Sequence, residues 1–191
     1  MGPNSIPWQV YLTFGCGGAL ISDRHVLTAG HCTRNRTISE LDIIVGQRLR
    51  FPSDGKRHEI CKKSVHPNYT EFKHPTIDVV ESVNFDFSIL HLKTPVNLGP
   101  YVQPVCLPKN KSNYSDGYLI NKMMTVSGWG DTEHGERSNE LQSVAIPGIS
   151  NEVCGNILDP NEPNKIEDCH LCAGNLEASN FSGACRGDSG G

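Results

Sequence analysis

Short runs of β-favouring residues, each cut off by glycine, proline or polar turn residues, constrain this chain more than any other feature. They fall at residues 8–12, 19–21, 25–28, 42–45, 87–92, 123–127 and 142–146, with separators at 14–18, 51–56, 66–69, 94–100 and 128–135. Many short strands punctuated this way predict an all-β sandwich or a pair of barrels. Helical periodicity is scarce. Only residues 151–157 predict a short helix, with Ser150 as its cap and Val153 and Ile157 one turn apart. The 19 Gly and 12 Pro make the 191-residue chain turn-rich, yet it is too varied to be collagenous or of low complexity. The polar segment 97–121 predicts a surface connector between two halves, with a soft boundary near 108–118.

Charge excludes some functions. Seventeen basic against 21 acidic residues leave a net charge of −4, and no Lys/Arg block stands out. That argues against nucleic acid or a membrane surface as partner. No run approaches the apolar length of a transmembrane helix. Eight cysteines are many for a cytosolic chain of this size. Asn-x-Ser/Thr sequons at Asn35, Asn68, Asn110, Asn113 and Asn180 accompany them. Together they predict a secreted, disulfide-bonded glycoprotein. The start, Met1-Gly2-Pro3-Asn4-Ser5, has no basic or apolar export region. The expectation is therefore a fragment of an exported protein.

Three segments carry residues suited to chemistry. Gly187-Asp188-Ser189-Gly190-Gly191 sets a serine between glycines. Such a serine is ordinarily a loop residue, and a nucleophilic one also needs a base, an orienting acid and an oxyanion site. Leu27-Thr28-Ala29-Gly30-His31-Cys32 places a histidine after small residues at a strand end. Were Cys32 bridged to Cys16, the loop of about 15 residues would contribute roughly 3 kcal/mol and hold His31 in place. Asn84-Phe85-Asp86-Phe87-Ser88-Ile89 puts an acid among apolar neighbours where a buried strand begins. Alone it reads as a turn cap; buried, it needs a partner, and an imidazole N–H would serve and would fix the His31 tautomer.

The order His31, Asp86, Ser189 resembles the chymotrypsin-like (S1) serine endopeptidases. The matching stretches include Pro7-Trp8-Gln9-Val10, Cys16-Gly17-Gly18-Ala19, Thr28-Ala29-Gly30-His31-Cys32, His66-Pro67-Asn68-Tyr69, Asp86-Phe87-Ser88-Ile89-Leu90, Val105-Cys106-Leu107-Pro108, Val126-Ser127-Gly128-Trp129-Gly130, Leu171-Cys172-Ala173-Gly174 and Gly187-Asp188-Ser189-Gly190-Gly191. They run in the family's order almost end to end. Gly187 to Gly191 also fits the nucleophile elbow of α/β-hydrolases, but there the acid and histidine follow the serine. Cys169-His170-Leu171-Cys172 offers a single Cys-x-x-Cys and no second pair, a poor zinc site.

The resemblance implies two packed six-stranded antiparallel β-barrels, the second incomplete at the C-terminus. Residues 1–108 would form the barrel carrying His31 and Asp86, and 109–191 the partial barrel carrying Ser189, together one peptidase domain. It implies peptide-bond hydrolysis through an acyl-enzyme, with Ser189 as nucleophile, His31 as base and Asp86 as orienting acid. Gly187 and Ser189 would supply the oxyanion N–H groups. Gly183 would be the specificity-pocket floor, uncharged and so favouring apolar or small side chains, while Arg186 would favour acidic or polar groups nearby. Implied disulfides are Cys16–Cys32 and Cys154–Cys172. Cys106 matches a position that often tethers an upstream pro-segment and Cys185 one that pairs with a residue beyond the present end. Cys61 and Cys169 lie outside the common set and could pair with each other; the four leftover cysteines allow three pairings, among which the sequence does not choose. No cofactor or metal is expected. Protein or peptide substrates and protease inhibitors are the expected partners.

Two departures from the family shape further expectations. Its activation sequence, whose freed amine pairs with the acid before the nucleophile, here Asp188, is absent. Asp188 should then be unpaired or exposed, and removing one partner of a buried pair costs about 3–5 kcal/mol. The chain also stops at Gly191, before the family's later strands. As printed it should be poorly stable and nearly inactive, so that a serine-directed phosphonate would not label it stoichiometrically. The alternative function is a non-catalytic protease homologue or inactive fragment that binds partners through the same surface.

Overall fold

In a computed structural model of the chain, the described residues are 6–73, 80–109, 118–158, 166, 170–175 and 183–191. The sequons at Asn110, Asn113 and Asn180, Cys169, the first five residues and much of the expected boundary at 108–118 lie outside them.

Alternating apolar residues build the first half. Strands β1 (Gln9–Leu12), β2 (Cys16–Ser22), β3 (His25–Thr28), β4 (Asp42–Val45), β5 (Lys56–Val65) and β8 (Ser88–Leu92) close into an antiparallel barrel in the order β1-β2-β3-β8-β5-β4. Closure leaves no strand edge for another chain to pair with. Successive side chains point to opposite faces. Val10 and Leu12, Leu20, Val26, Ile43 and Val45, Ile60, and Leu90 and Leu92 therefore fill one interior. Strand β5 was not expected. Its sequence, Lys-Arg-His-Glu-Ile-Cys-Lys-Lys-Ser-Val, is mostly charged, and only His58 and Ile60 are buried. Ladders to β4 and β8 hold it as a strand where its own hydrophobic pattern is weak. A hairpin of β6 (Thr70–Lys73) and β7 (Val80–Asn84) stands outside the barrel.

In the second half β9 (Met123–Gly128), β10 (Gln142–Ile149) and β11 (Cys172–Ala173) form an antiparallel sheet ordered β11-β10-β9. The architecture is thus all-β, a closed six-stranded barrel with a second sheet beside it. The expected helix is present as α2 (Asn151–Leu158), and the Val153 N–H donates to Ser150 Oγ at 3.2 Å. Its inward residue is Cys154, bonded to Cys172, whereas Val153 and Ile157 face solvent. A disulfide, rather than an apolar stripe, anchors this helix.

Strand β1 is buried on both faces because it lies between the barrel interior and the second half. Gln9 Oε1 accepts from the Ser127 hydroxyl at 2.7 Å, and Tyr11 meets Trp129 edge-to-face at 5.4 Å. The Trp129 indole N–H donates to Arg48 O at 3.1 Å. These buried contacts bring the two halves together along the line where the candidate residues lie.

Candidate active site

Small residues let the chain turn sharply after β3. Ala29 is extended, and Gly30–Thr33 form a single helical turn, α1. A Cβ on Gly30 would lie 2.8 Å from the Tyr69 ring and 3.2 Å from Asp86 Oδ1, so a bare α-carbon is needed there. The next residue but one, Cys32, is bonded to Cys16 of β2. His31 is therefore held on both sides, with its side chain 40% exposed.

Asp86 reaches His31 from a tight turn. Phe85 has φ +51°, a strained value for an aromatic residue, and its ring stacks on His66 at 4.9 Å. The Phe87 N–H donates back to Phe85 O at 2.7 Å. This turn directs the Asp86 carboxylate to a two-point contact. Oδ1 accepts the His31 backbone N–H at 2.8 Å, and Oδ2 is 2.7 Å from His31 Nδ1. With Nδ1 as donor, the lone pair of the neutral ring sits on Nε2. Nε2 lies 3.5 Å from Cys32 Sγ. The hydrogen bond to Asp86 raises the His31 pKa, partly opposed by burial. Burial pushes the Asp86 pKa upward, but the ring and backbone bonds from His31 together outweigh it and hold the carboxyl below its ordinary value. The pair favours an ionised acid and a ring that gains by taking a proton.

The Ser189 loop packs against the same place. Gly190 has φ +82°, and a Cβ there would lie 2.4 Å from Thr28 Oγ1 and 2.8 Å from Ala29 N. Only glycine permits both the backbone angle and that approach to the segment leading into His31. Ser189 O accepts the Gly17 N–H at 2.8 Å and lies 3.8 Å from Cys32 Sγ. Among the described residues, no hydrogen bond joins Ser189 Oγ to His31 in this conformation. Likewise the N–H groups of Gly187 and Ser189 donate to no protein acceptor among the described residues.

Asp188 is satisfied by backbone groups. Among the described residues its carboxylate has no cationic partner, as expected, but it is half-buried and accepts two backbone bonds. Oδ1 accepts the Gly130 N–H at 2.7 Å and Oδ2 the Cys185 N–H at 2.9 Å. The fold replaces an ionic partner with two backbone donors, which satisfy a carboxylate well. Gly183 lines a cavity of about 990 Å³ beside Asp188, whose other lining residues include Asp131 and Glu133. These acids come from a distant segment, so the residues flanking Gly183 in sequence did not reveal them.

The cysteine pairs Cys16–Cys32 and Cys154–Cys172 are bonded, whereas Cys61, Cys106 and Cys185 carry free thiols. Cys61 carries a free thiol here, and Cys169, suggested as its partner, lies outside the described residues. Cys61 lies on β5, with its sulfur 3.4 Å from His91 O of the neighbouring strand. Cys16, His31 and Cys32 cluster closely enough to suggest a metal site, but both sulfurs are spent in the disulfide. Arg186 is exposed, as are Asn35 and Asn68.

A second layer behind His31 was missed in the sequence. The Tyr69 hydroxyl donates to Glu71 Oε1 at 2.6 Å, Arg34 pairs with Glu71 Oε2, and the Arg34 guanidinium lies 5.6 Å from the Tyr69 ring centre. Burial and the Glu71 carboxylate keep the Tyr69 phenol protonated, far above its usual range. The motif His66-Pro67-Asn68-Tyr69 marked the tyrosine without its role, and Arg34 is 37 positions from Glu71.

Comparisons with known proteins agree with this architecture. A family model described as Trypsin matches residues 2–191. Serine proteinase stubble of Drosophila melanogaster is 33% identical over 97% of this chain and 24% of its own length. Venom serine protease Bi-VSP of Bombus ignitus is 36% identical over 92% of this chain and 46% of its own length. Phenoloxidase-activating factor 3 of Holotrichia diomphalia is 31% identical over 97% of this chain and 55% of its own length. The chain therefore spans about half or less of the length of these relatives.

Proposed function

Because the chain belongs to the trypsin family of S1 serine proteases, we propose that it is the catalytic unit of a secreted serine endopeptidase, with His31, Asp86 and Ser189 as its triad. The observation that carries this reading is the two-point clamp of Asp86 on His31, which orients the ring while the Ser189 loop packs on the adjoining Cys16–Cys32 bridge.

In this mechanism Ser189 Oγ attacks the substrate carbonyl carbon while His31 Nε2 takes the hydroxyl proton. Within the same mechanism a rotation of the serine or imidazole makes the bond that the resting conformation lacks, since such bonds often form only when substrate binds. The carbonyl oxygen becomes an oxyanion held by the unspent N–H groups of Gly187 and Ser189. One such donor typically contributes about 3 kcal/mol in the transition state. The intermediate collapses, the C–N bond breaks, and His31 Nε2 protonates the departing amine. Water, deprotonated by the same nitrogen, then hydrolyses the Ser189 ester. Asp86 stays ionised throughout and stabilises the imidazolium.

Residues 1–108 and 109–191 act as the two halves of this one unit. The uncharged Gly183 supports a preference for small or apolar substrate side chains at the pocket floor. Asp188 acts as the activation-linked acid: a freed amine reaching it would replace the amide bonds from Gly130 and Cys185 and re-form the loop that bears Gly187. The exposed Cys106 is suited to tethering an upstream segment, and the disulfides with exposed Asn35 and Asn68 support a secreted glycoprotein. Partners are polypeptide substrates and protease inhibitors. A non-catalytic homologue would be expected to lack one of the three side chains, and all three are present.

The test is labelling of the activated full-length protein with a fluorophosphonate. Modification of Ser189, lost in Ser189→Ala and in His31→Ala, is expected; an unlabelled but correctly folded and activated protein would overturn the reading.

A further inference from the structure

We infer that the guanidinium of Arg137 is a specificity-determining group that receives an acidic residue of a polypeptide substrate, on the side of the cleaved bond that departs with the amine. The inference rests on the serine-endopeptidase reading and names a substrate class for that site.

Arg137 is held at a defined place. It lies in the turn between β9 and β10, bridged to Asp131 across that turn, with Ser138 N–H bonded to Gly130 O at 3.0 Å and Thr132 N–H to Glu136 O at 2.9 Å. Its side chain lies against two backbone segments that have no side chains of their own. A Cβ on Gly15, in the turn between β1 and β2, would sit 2.3 Å from Arg137 Nη1. A Cβ on Gly187 would sit 3.4 Å from its Cζ and Nε. One guanidinium thus spans the two halves of the fold, next to the amide assigned to the oxyanion.

Among the described residues most of its hydrogen-bonding capacity is unspent. The only acid paired with it among the described residues is Asp131, 3.9 Å from Nε, and neither Nη donates to a protein oxygen there. A guanidinium carries five donors in a planar fork that matches a carboxylate with two parallel bonds. Other cations stand close in the chain. Arg186 precedes Gly187 and is exposed, and the Arg36 guanidinium lies 4.0 Å from the ring centre of Phe14, the neighbour of Gly15. Arg50 donates to Arg137 O at 3.5 Å. Asp131 and Glu136 share the same turn, so it is the fork of Arg137 rather than a broad positive field that would receive the acidic side chain.

Proton transfer decides the side. His31 Nε2 must deliver its proton to the leaving amine, and Nε2 lies 3.5 Å from Cys32 Sγ. Cys32 is bonded to Cys16, the residue after Gly15. The bridge thus connects the proton-donating nitrogen to Gly15, and a peptide leaving with the amine along it would pass beneath Arg137. An Asp or Glu within the first few residues after the cleaved bond can reach the fork.

The experiment uses the activated full-length protein and quenched peptides differing only by Glu or Gln at each of the first three positions after the cleaved bond. A matching set varies the positions before it. The expected result is a kcat/KM about fivefold higher with Glu at one of the positions after the bond, the size of a well-formed exposed ion pair. Arg137→Gln should abolish that preference, read as the ratio of kcat/KM for the Glu peptide to that for the Gln peptide, and Arg137→Glu should shift preference to Lys at the same position. Equal rates for Glu and Gln after the bond, or a preference surviving Arg137→Gln, would overturn the inference alone, provided Ser189 still takes a fluorophosphonate. Absence of both labelling and cleavage would overturn the endopeptidase reading and this inference with it.

Discussion

Replacing Asp86 by Asn probes the clamp on His31 with almost no change in volume. Wild-type Asp86 accepts two bonds, from the His31 backbone N–H at 2.8 Å and from ring Nδ1 at 2.7 Å. Asparagine has one acceptor and one donor. If its oxygen keeps the backbone bond, its NH₂ faces Nδ1, and the ring must accept there instead of donating. The proton then sits on Nε2, where, in the proposed mechanism, it would block uptake of the Ser189 proton. A hydrogen bond to a charged group contributes about 1.5–3 kcal/mol, and losing the carboxylate also removes its attraction for the imidazolium. A total of roughly 3–5 kcal/mol corresponds to about 10²- to 10⁴-fold in rate, and the upper end is the size a wrong-tautomer substitution has in the template triad. KM should change little, because Asp86 touches His31 rather than substrate. The assay is steady-state hydrolysis by the activated full-length protein across pH, with fluorophosphonate labelling rates beside it. In Asp86→Asn the acid limb should move to lower pH, since the main cause raising the His31 pKa is gone. Turnover within tenfold of wild type near neutral pH, or an unmoved acid limb, would refute the coupling of this carboxylate to the base.

Other outcomes follow from the same geometry. His31 has a raised pKa in the folded chain, so its protonated form adds stability in full below about pH 6.5 and loses it as pH rises through the raised value; the melting-temperature gap between wild type and His31→Gln should narrow as pH rises above about 6.5. Gly30→Ala should lower kcat at least tenfold, because its new Cβ meets the Tyr69 ring at 2.8 Å and Asp86 Oδ1 at 3.2 Å and a misplacement of such size is costly; unchanged kinetics would contradict the tight packing behind His31. Leu90→Ala should destabilise by about 2–5 kcal/mol in denaturant melts, since Leu90 is fully buried in the barrel. A loss below about 1 kcal/mol would mean that the barrel interior is not packed as described.

The legible parts of this protein are those whose cause is local. Strands at residues 25–28 and 42–45 are found at their expected bounds, because short β-favouring runs ended by turn formers specify both the element and its stop. The cap on α2 was legible for the same reason: Ser150 and the N–H it accepts are three residues apart. The family itself was visible, since its motifs are short runs read in order. Strand β5 was hidden, because ladders to β4 and β8 rather than its own charged residues make it a strand.

Side chains and their order along the chain were thus set by sequence, while only the tertiary structure decided what each one faces. It gave Asp188 two amide partners, and one of them, Gly130, is 58 positions away. It placed Glu71 between Tyr69 and Arg34, and it laid the Arg137 guanidinium against Gly15 and Gly187. Residue type fixes what a group can donate, accept or titrate. Distance and burial fix which of those capacities is spent, and they arise only when segments far apart in the chain pack against one another.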